Sequence, residues 1–110
     1  MKGTRVLASL AIIGSCLFMG HAHAAKVWTG WFDIDLIYQQ NDERFLVYPV
    51  NRPINGCYAF KFYVNQQTMT SEGVRMMLSV ALTAKAAGLE ININYEDSGT
   101  DCYARFAQIR

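Results

Sequence analysis

The sequence is short of the residues from which catalytic and metal sites are usually built. Its 110 residues include two histidines, His21 and His23, and three cysteines. Neither a Gly-rich phosphate loop nor a cluster with metal-ligand spacing occurs. Both histidines lie in a predicted leader, so no imidazole is left in the mature protein to act as a base or a ligand. The sequence therefore predicts a protein that is not an enzyme and that carries no cofactor or metal.

An excess of charge is also lacking. Without Lys2 and Arg5, which belong to the same leader, eight basic residues face nine acidic ones. This balance gives no electrostatic reason to expect nucleic acid or an anionic membrane surface as a partner. The longest apolar run, from Val6 to Met19, is too short to span a bilayer, and no later run is longer. No membrane span is therefore expected.

What the N-terminus does contain is typical of a signal peptide. Lys2 and Arg5 precede the apolar run, and Ala22-His23-Ala24 offers small residues around a cleavage site. We therefore predict a signal peptide at residues 1–24 and a single exported domain at residues 25–110, either periplasmic or secreted. An alternative is a lipoprotein, cleaved and acylated at Cys16 within Ile-Gly-Ser-Cys.

Two cysteines, Cys57 and Cys102, remain in the predicted domain. A domain of this size buries only about 60–65% of its unfolded surface, so its stability margin is small. In an oxidising compartment two cysteines favour one disulfide, which would stabilise the domain by roughly 4 kcal/mol through loop-closure entropy. Two free buried thiols are the alternative.

Hydrophobic alternation predicts five strands. The first strand places one set of residues on a single face, namely Trp28, Gly30, Phe32, Ile34, Leu36 and Tyr38. The opposite face of this strand carries Trp31, Asp33, Asp35 and Ile37. Further strands follow at "RFLVYPV", "CYAFKFYV", "LEININY" and "CYARFAQI", with "EDSGTD" as a turn between the last two.

One helix separates the third and fourth strands. Thr70 or Ser71 caps its start, and Gly88 marks its end. A core-facing stripe contains Val74, Met77, Leu78, Ala81 and Ala84. A second, nearly uncharged stripe contains Met76, Val80, Thr83 and Ala87. A helix that is apolar on both sides is expected to be covered on both sides, so we predict a subunit interface at the second stripe. Exposed small residues are the alternative.

The element order strand, strand, strand, helix, strand, strand is that of the OB-fold, a five-stranded barrel. In that barrel the third and fifth strands are parallel neighbours, and Cys57 and Cys102 open these two strands. We therefore predict a mainly β, OB-like barrel with one helix. An antiparallel sheet with one helix packed on it is the alternative.

Binding is easier to support than catalysis. Asp33 and Asp35 lie roughly 6.5–7 Å apart on one strand face, which would permit paired-acid hydrolysis. A solvated strand face is the simpler interpretation of these carboxylates. Trp31 lies beside them and is expected to be exposed, where an amphipathic ring can stack on a sugar. We accordingly predict a ligand site at Trp31, Asp33 and Asp35.

Two segments resemble the binding subunits of subtilase cytotoxin and of its pertussis-like and typhoid-toxin relatives. These segments are "VWTG" near the mature start and "ALTAKAAGLEININYE" across the helix-to-strand passage. The layout is also similar to that of small exported proteins of gammaproteobacteria. The segment after Trp28-Thr29-Gly30 departs from the toxin pattern, because it runs directly into Trp31 and Phe32.

The resemblance implies an OB-fold protomer in a ring of five, with helices around a central pore and sialylated glycans on the outer face. It also implies that Tyr95 contacts the glycan. The leading hypothesis is thus a secreted or periplasmic binding protein of toxin B-subunit type, with glycan as ligand. The alternative is a periplasmic protein-interaction or inhibitor-like domain of unknown partner.

Overall fold

The computed structural model describes residues 25–97 and 101–110. The predicted signal peptide, including Cys16, and residues 98–100 of the predicted turn lie outside this part of the chain. The described elements are β1 (Ala25–Asn41), β2 (Arg44–Pro49), β3 (Phe60–Tyr63), α1 (Ser71–Ala87), β4 (Glu90–Asp97) and β5 (Ala104–Ile109). The predicted order of three strands, one helix and two strands is confirmed.

The strands form one five-stranded sheet in the order β3-β2-β1-β4-β5, and all neighbours are antiparallel. The long central strand β1 pairs with β4 through its first half and with β2 through its second half. The edge strands β3 and β5 approach each other at one parallel bridge, where the Lys61 amide donates to the Cys102 carbonyl over 3.1 Å. Within the described residues this bridge does not extend into a ladder, so the sheet is not closed.

Two irregularities in β1 overturn its predicted alternation. The register shifts between Trp28 and Trp31, where Gly30 has a φ of 86°, and again between Ile34 and Leu36. Each β-bulge inserts one residue and so reverses which side chains face inward. The core therefore receives Val27, Phe32, Ile34 and Ile37. The prediction that Trp28, Leu36 and Tyr38 share one face with Phe32 was wrong, because Phe32 is buried and the other three are exposed.

The core lies between the inner face of the sheet and α1. Phenylalanines of β2 and β3 stack within it, with 4.7 Å between the ring centroids of Phe45 and Phe62. The ring of Phe60 meets Tyr95 of β4 edge-on at 5.0 Å. From α1 the core receives the predicted stripe, with Val74, Ala81 and Ala84 buried and Met77 and Leu78 partly buried.

Both predicted helix ends are confirmed. The Thr70 hydroxyl accepts a hydrogen bond from the Gly73 amide over 3.0 Å, and Glu72 places negative charge in the first turn. Gly88 adopts a left-handed conformation with a φ of 69°, which an L side chain rarely does. The amide of Leu89 then donates to the Ala84 carbonyl, so the chain leaves the helix directly into β4.

The predicted disulfide between Cys57 and Cys102 is confirmed. It closes a loop with a sequence separation of 45 residues, and both cysteines are buried. Because Cys57 precedes β3 and Cys102 precedes β5, the bond ties together the two edges of the sheet. No helix in the described part of the chain is long and apolar enough to cross a membrane.

Candidate binding surfaces

The four residues predicted to bind a ligand lie in separate environments. Trp31 points outward and is half-buried, with the Arg110 guanidinium 4.3 Å from its ring centroid. Asp33 is exposed near the C-terminal end of α1. Asp35 forms an ion pair with Arg52, with 3.0 Å between Oδ2 and Nη2. The structure thus keeps Trp31 and Asp33 on the outer surface of one strand but does not gather the four into one site.

Tyr95 lies in the core, with 1% of its surface exposed. Its ring contacts Phe60, and its hydroxyl accepts a hydrogen bond from Asn55 Nδ2 over 3.0 Å. Its inward direction agrees with the alternation of β4. A contact with glycan, which the resemblance implies for Tyr95, would require this ring to leave its present position.

A shallow depression of about 380 Å³ lies beside the end of α1. Its lining includes Asp33 and Lys85 but not Asp35. The two carboxylates of the predicted acid pair therefore do not meet in this cavity. Within residues 25–97 and 101–110, no group of three or more histidine, cysteine, aspartate or glutamate side chains is arranged to hold a metal ion.

On the outer side of β1, β4 and β5, aromatic and amide side chains form a surface that we call the tryptophan face. The strand register aligns Trp28 with Asn94 and Phe106 in one row, and Trp31 with Asn92 and Gln108 in the next. These six residues define the face. Both rows exist because the bulge at Gly30 turns the two tryptophans to the same side.

The amides of the tryptophan face are held in fixed orientations. Asn92 Oδ1 accepts from the Gly30 amide over 3.0 Å, and Asn92 Nδ2 donates to Gln108 Oε1 over 3.2 Å. Asn94 is 5% exposed, and its Oδ1 accepts from Arg105 Nε over 2.9 Å. Amides fixed in this way lose little conformational entropy when a ligand binds.

Two rings on this face are open to solvent, Trp28 at 44% and Phe106 at 52%. They lie on strands two apart, so their Cα atoms are roughly 9.5 Å from each other. Asn94 lies between them, and the Arg105 guanidinium is 4.8 Å from the Phe106 ring centroid. Apolar ring faces beside amide groups suit the mixed surface of a sugar. Sequence reasoning misses both rings, because alternation groups Trp28 on one face with Phe32 and assigns no role to Phe106.

A second outer surface, the tyrosine face, lies on β1, β2 and β3. We define it by Tyr38, Arg44, Leu46, Tyr48, Lys61 and Tyr63, which point away from the core. Leu46 is only 7% exposed and yet does not belong to the core cluster. Its paired neighbours, Tyr38 and Lys61, flank it on the outer side of the sheet. A small apolar cluster therefore forms outside the core.

The cations of the tyrosine face lie over aromatic rings. The Arg44 guanidinium is 5.1 Å from the Tyr63 centroid, and Lys61 Nζ is 5.6 Å from the centroid of Tyr103, which precedes β5. The Tyr63 and Tyr103 rings meet edge-on at 5.6 Å. Burial raises the pKa of Tyr63 above its ordinary value of 10.0, and the positive charge of Arg44 opposes this shift.

The predicted second stripe of α1 lies on the solvent side of the helix. Met76 is 59% exposed, Thr83 and Ala87 are exposed, and Val80 is partly buried. Leu82 is also 50% exposed, but it lies on a different side of the helix, next to Arg75. The subunit interface expected here remains a prediction.

Comparison with known proteins adds no relative. No protein-family model, curated protein or solved structure matches the chain significantly.

Proposed function

We propose that the protein is an exported, non-catalytic binding protein and that its tryptophan face holds a glycan. The observation that carries this proposal is the pairing of two exposed rings, Trp28 and Phe106, across a buried and hydrogen-bonded Asn94. Sugars are bound by stacking on ring faces and by hydrogen bonds to fixed polar groups. This face supplies the rings of Trp28 and Phe106 and the more accessible amides of Asn92 and Gln108 on one rigid sheet.

One of the ligand-binding residues predicted from the sequence lies on this surface. Trp31 belongs to the tryptophan face, and Asp33 follows it outward along β1. The Arg110 guanidinium lies over Trp31 and is also paired with Glu90 at 3.0 Å. A glycan that extends from Trp28 toward the end of β5 would therefore meet charged groups as well as amides. Asp35 and Tyr95 take no part in this proposed site.

We further propose that the five strands form an OB-like barrel that is completed between β3 and β5. Support comes from the parallel bridge of Lys61 with Tyr103 and from the disulfide beside it. Slow exchange of the Lys61 amide, which donates to the Cys102 carbonyl, would support a closed barrel in solution. If this amide exchanges as fast as one in an exposed loop, the result would support an open sheet in solution instead.

The glycan proposal is tested on a glycan array, followed by calorimetry with any glycan that binds. Trp28→Ala and Phe106→Ala should each weaken binding by about tenfold, because each removes a stacked ring. Tyr38→Ala is the matched control, since Tyr38 is 52% exposed but lies on the tyrosine face. If the folded protein binds no glycan on the array, glycan binding is refuted. If only Tyr38→Ala weakens binding, the glycan site lies on the tyrosine face instead.

The alternative function is protein interaction through α1, and the exposed Met76 and Leu82 favour it. A ring of five subunits, as the toxin resemblance implies, would cover this helix surface. The solution mass separates the two outcomes: a mass of several protomers that falls to one on Met76→Glu supports subunit packing. A monomeric mass for the unsubstituted protein removes the ring and leaves a different partner for the helix.

A further inference from the structure

We propose that the tyrosine face is a docking site for an extended acidic segment of another protein. This site is separate from the proposed glycan site, so either can fail without the other. The proposed segment carries carboxylates at alternate positions where it crosses the two cations, and it then turns toward β1, where it carries an apolar residue. The argument rests on four properties of the face: its unpaired cations, their spacing, its packing and its exposed apolar margin.

Arg44 and Lys61 are the cations of this face. Neither forms an ion pair within residues 25–97 and 101–110, where the ion pairs are Arg52 with Asp35 and Arg110 with Glu90. Each instead lies against a tyrosine ring, at 5.1 Å for Arg44 and 5.6 Å for Lys61. A ring face orients a cation without neutralising it. Both side chains therefore offer N–H donors that suit carboxylate acceptors.

The spacing of the two cations fits an extended chain. Arg44 is paired with Tyr63, and Lys61 precedes Tyr63 by two residues on β3. Arg44 and Lys61 are thus diagonal neighbours, with Cα atoms roughly 7–8 Å apart. In an extended segment, side chains two residues apart point the same way and are separated by roughly 6.5–7 Å. Two carboxylates at alternate positions can therefore reach the two cations together.

The packing beneath the cations makes this face rigid. Leu46 fills the space between the strands on the outer side and is 7% exposed. The rings of Tyr63 and Tyr103 contact each other edge-on, with 5.6 Å between their centroids. The disulfide links Cys102, next to Tyr103, to Cys57 in the segment before β3. A rigid surface loses little entropy on binding, and tyrosine and arginine are enriched where protein interfaces derive most of their affinity.

The margin of the face favours a protein segment over an acidic polysaccharide. Leu36 and Tyr38 of β1 are 49% and 52% exposed, and they are paired with Tyr48 and Leu46 of the tyrosine face. An aliphatic side chain of a partner can bury this apolar surface, and burial of that kind stabilises a complex. A sulfated or carboxylated sugar chain matches the cations but has no aliphatic side chain for the margin.

The experiment uses fluorescence polarisation with a labelled peptide of sequence Thr-Glu-Thr-Glu-Thr-Val-Thr as the probe. The same peptide with glutamine in place of both glutamates is the charge control, and a heparin oligosaccharide is the polysaccharide arm. We expect the acidic peptide to bind, the glutamine peptide to bind about tenfold more weakly, and added salt to weaken the acidic peptide.

Variants assign the binding to the tyrosine face. The double variant Arg44→Gln/Lys61→Gln should weaken the acidic peptide by about tenfold. The double variant Arg75→Gln/Lys85→Gln removes the same charge from exposed positions on α1 and should leave binding unchanged. Tyr38→Ser, at the margin residue in the same row as Lys61, should weaken the peptide while leaving heparin unaffected. Trp28→Ala tests independence from the glycan site and should have no effect.

Three results would overturn the proposal. The first is equal binding of the acidic and glutamine peptides, including no binding of either. The second is binding of heparin but not of the acidic peptide, which would assign the face to an acidic polysaccharide. The third is equal loss of peptide binding in the Arg44/Lys61 and Arg75/Lys85 double variants, which would reduce the effect to net charge. Circular dichroism on each variant confirms that it is folded.

Discussion

The tryptophan face and the tyrosine face are built on one sheet but differ in the residue that is buried at their centre. On the tryptophan face the central position is polar: Asn94 is buried there and is satisfied by Arg105. On the tyrosine face the central position is apolar: Leu46 is buried there under aromatic and aliphatic stems. A polar centre fixes the direction of hydrogen bonds, whereas an apolar centre supports cations above it. Under the two proposals above, the two faces would bind ligands of different chemistry.

The largest expected effect tests whether the two faces depend equally on the disulfide. Cys57→Ser/Cys102→Ser should lower the free energy of unfolding by about 4 kcal/mol, because a loop with a sequence separation of 45 is no longer closed in the unfolded chain. Urea unfolding measures this change. Removing the bond should also speed hydrogen exchange at Lys61, on the tyrosine side, more than at Ile93, whose amide donates to Thr29 Oγ1. Equal acceleration at both amides would contradict the local role of the disulfide.

An intermediate effect tests the packing of the tyrosine face itself. Leu46→Ala should lower the free energy of unfolding by about 2–3 kcal/mol, since it opens a cavity at a buried position. Leu82→Ala is the matched control on α1, where Leu82 is 50% exposed, and should change stability by no more than about 0.5 kcal/mol. Thermal and urea unfolding measure both changes. Similar values for the two leucines would mean that the outer cluster is not packed.

The smallest effect concerns the titration of Tyr63. Burial raises its pKa and Arg44 lowers it, so Arg44→Gln should raise the pKa further. Because the folded protein disfavours the phenolate, this contribution to stability is complete below the ordinary pKa of 10.0 and is lost as pH rises through the raised value. NMR titration of the Tyr63 ring measures the shift. Arg75→Gln is the control, and an equal shift there would exclude a local effect of Arg44.

Local signals in the sequence predicted the elements well. Thr70 caps the start of the helix through a hydrogen bond, and Gly88 ends it through its backbone conformation. Both effects depend on neighbouring residues alone. The pairing of Cys57 with Cys102 followed from the small number of cysteines. These features need no knowledge of distant parts of the chain, and each was confirmed.

The faces of β1 could not be predicted in the same way. A bulge depends on how β1 matches the registers of β2 and β4, which alternation within β1 does not contain. Gly30 was the one available signal, since glycine within a strand often marks a bulge. Alternation alone groups Trp28 with Phe32 and therefore misses the row that Trp28 forms with Asn94 and Phe106. Whether a closed barrel exists also depends on contacts between β3 and β5 that no local pattern encodes.

The bulges in β1 have a consequence for how this chain can change over time. Substitutions at bulge positions alter side chains and leave the facing of all other residues as it is. Deleting a single residue between Trp28 and Trp31 would leave one residue opposite Ile93, so the bulge would become regular pairing with both indoles still on the outer side. Deleting one residue from the regular pairing between Trp31 and Asp33 would instead exchange the inner and outer faces of the strand on one side of the deletion. Length is therefore under stricter control in the regular part of β1 than at the bulge.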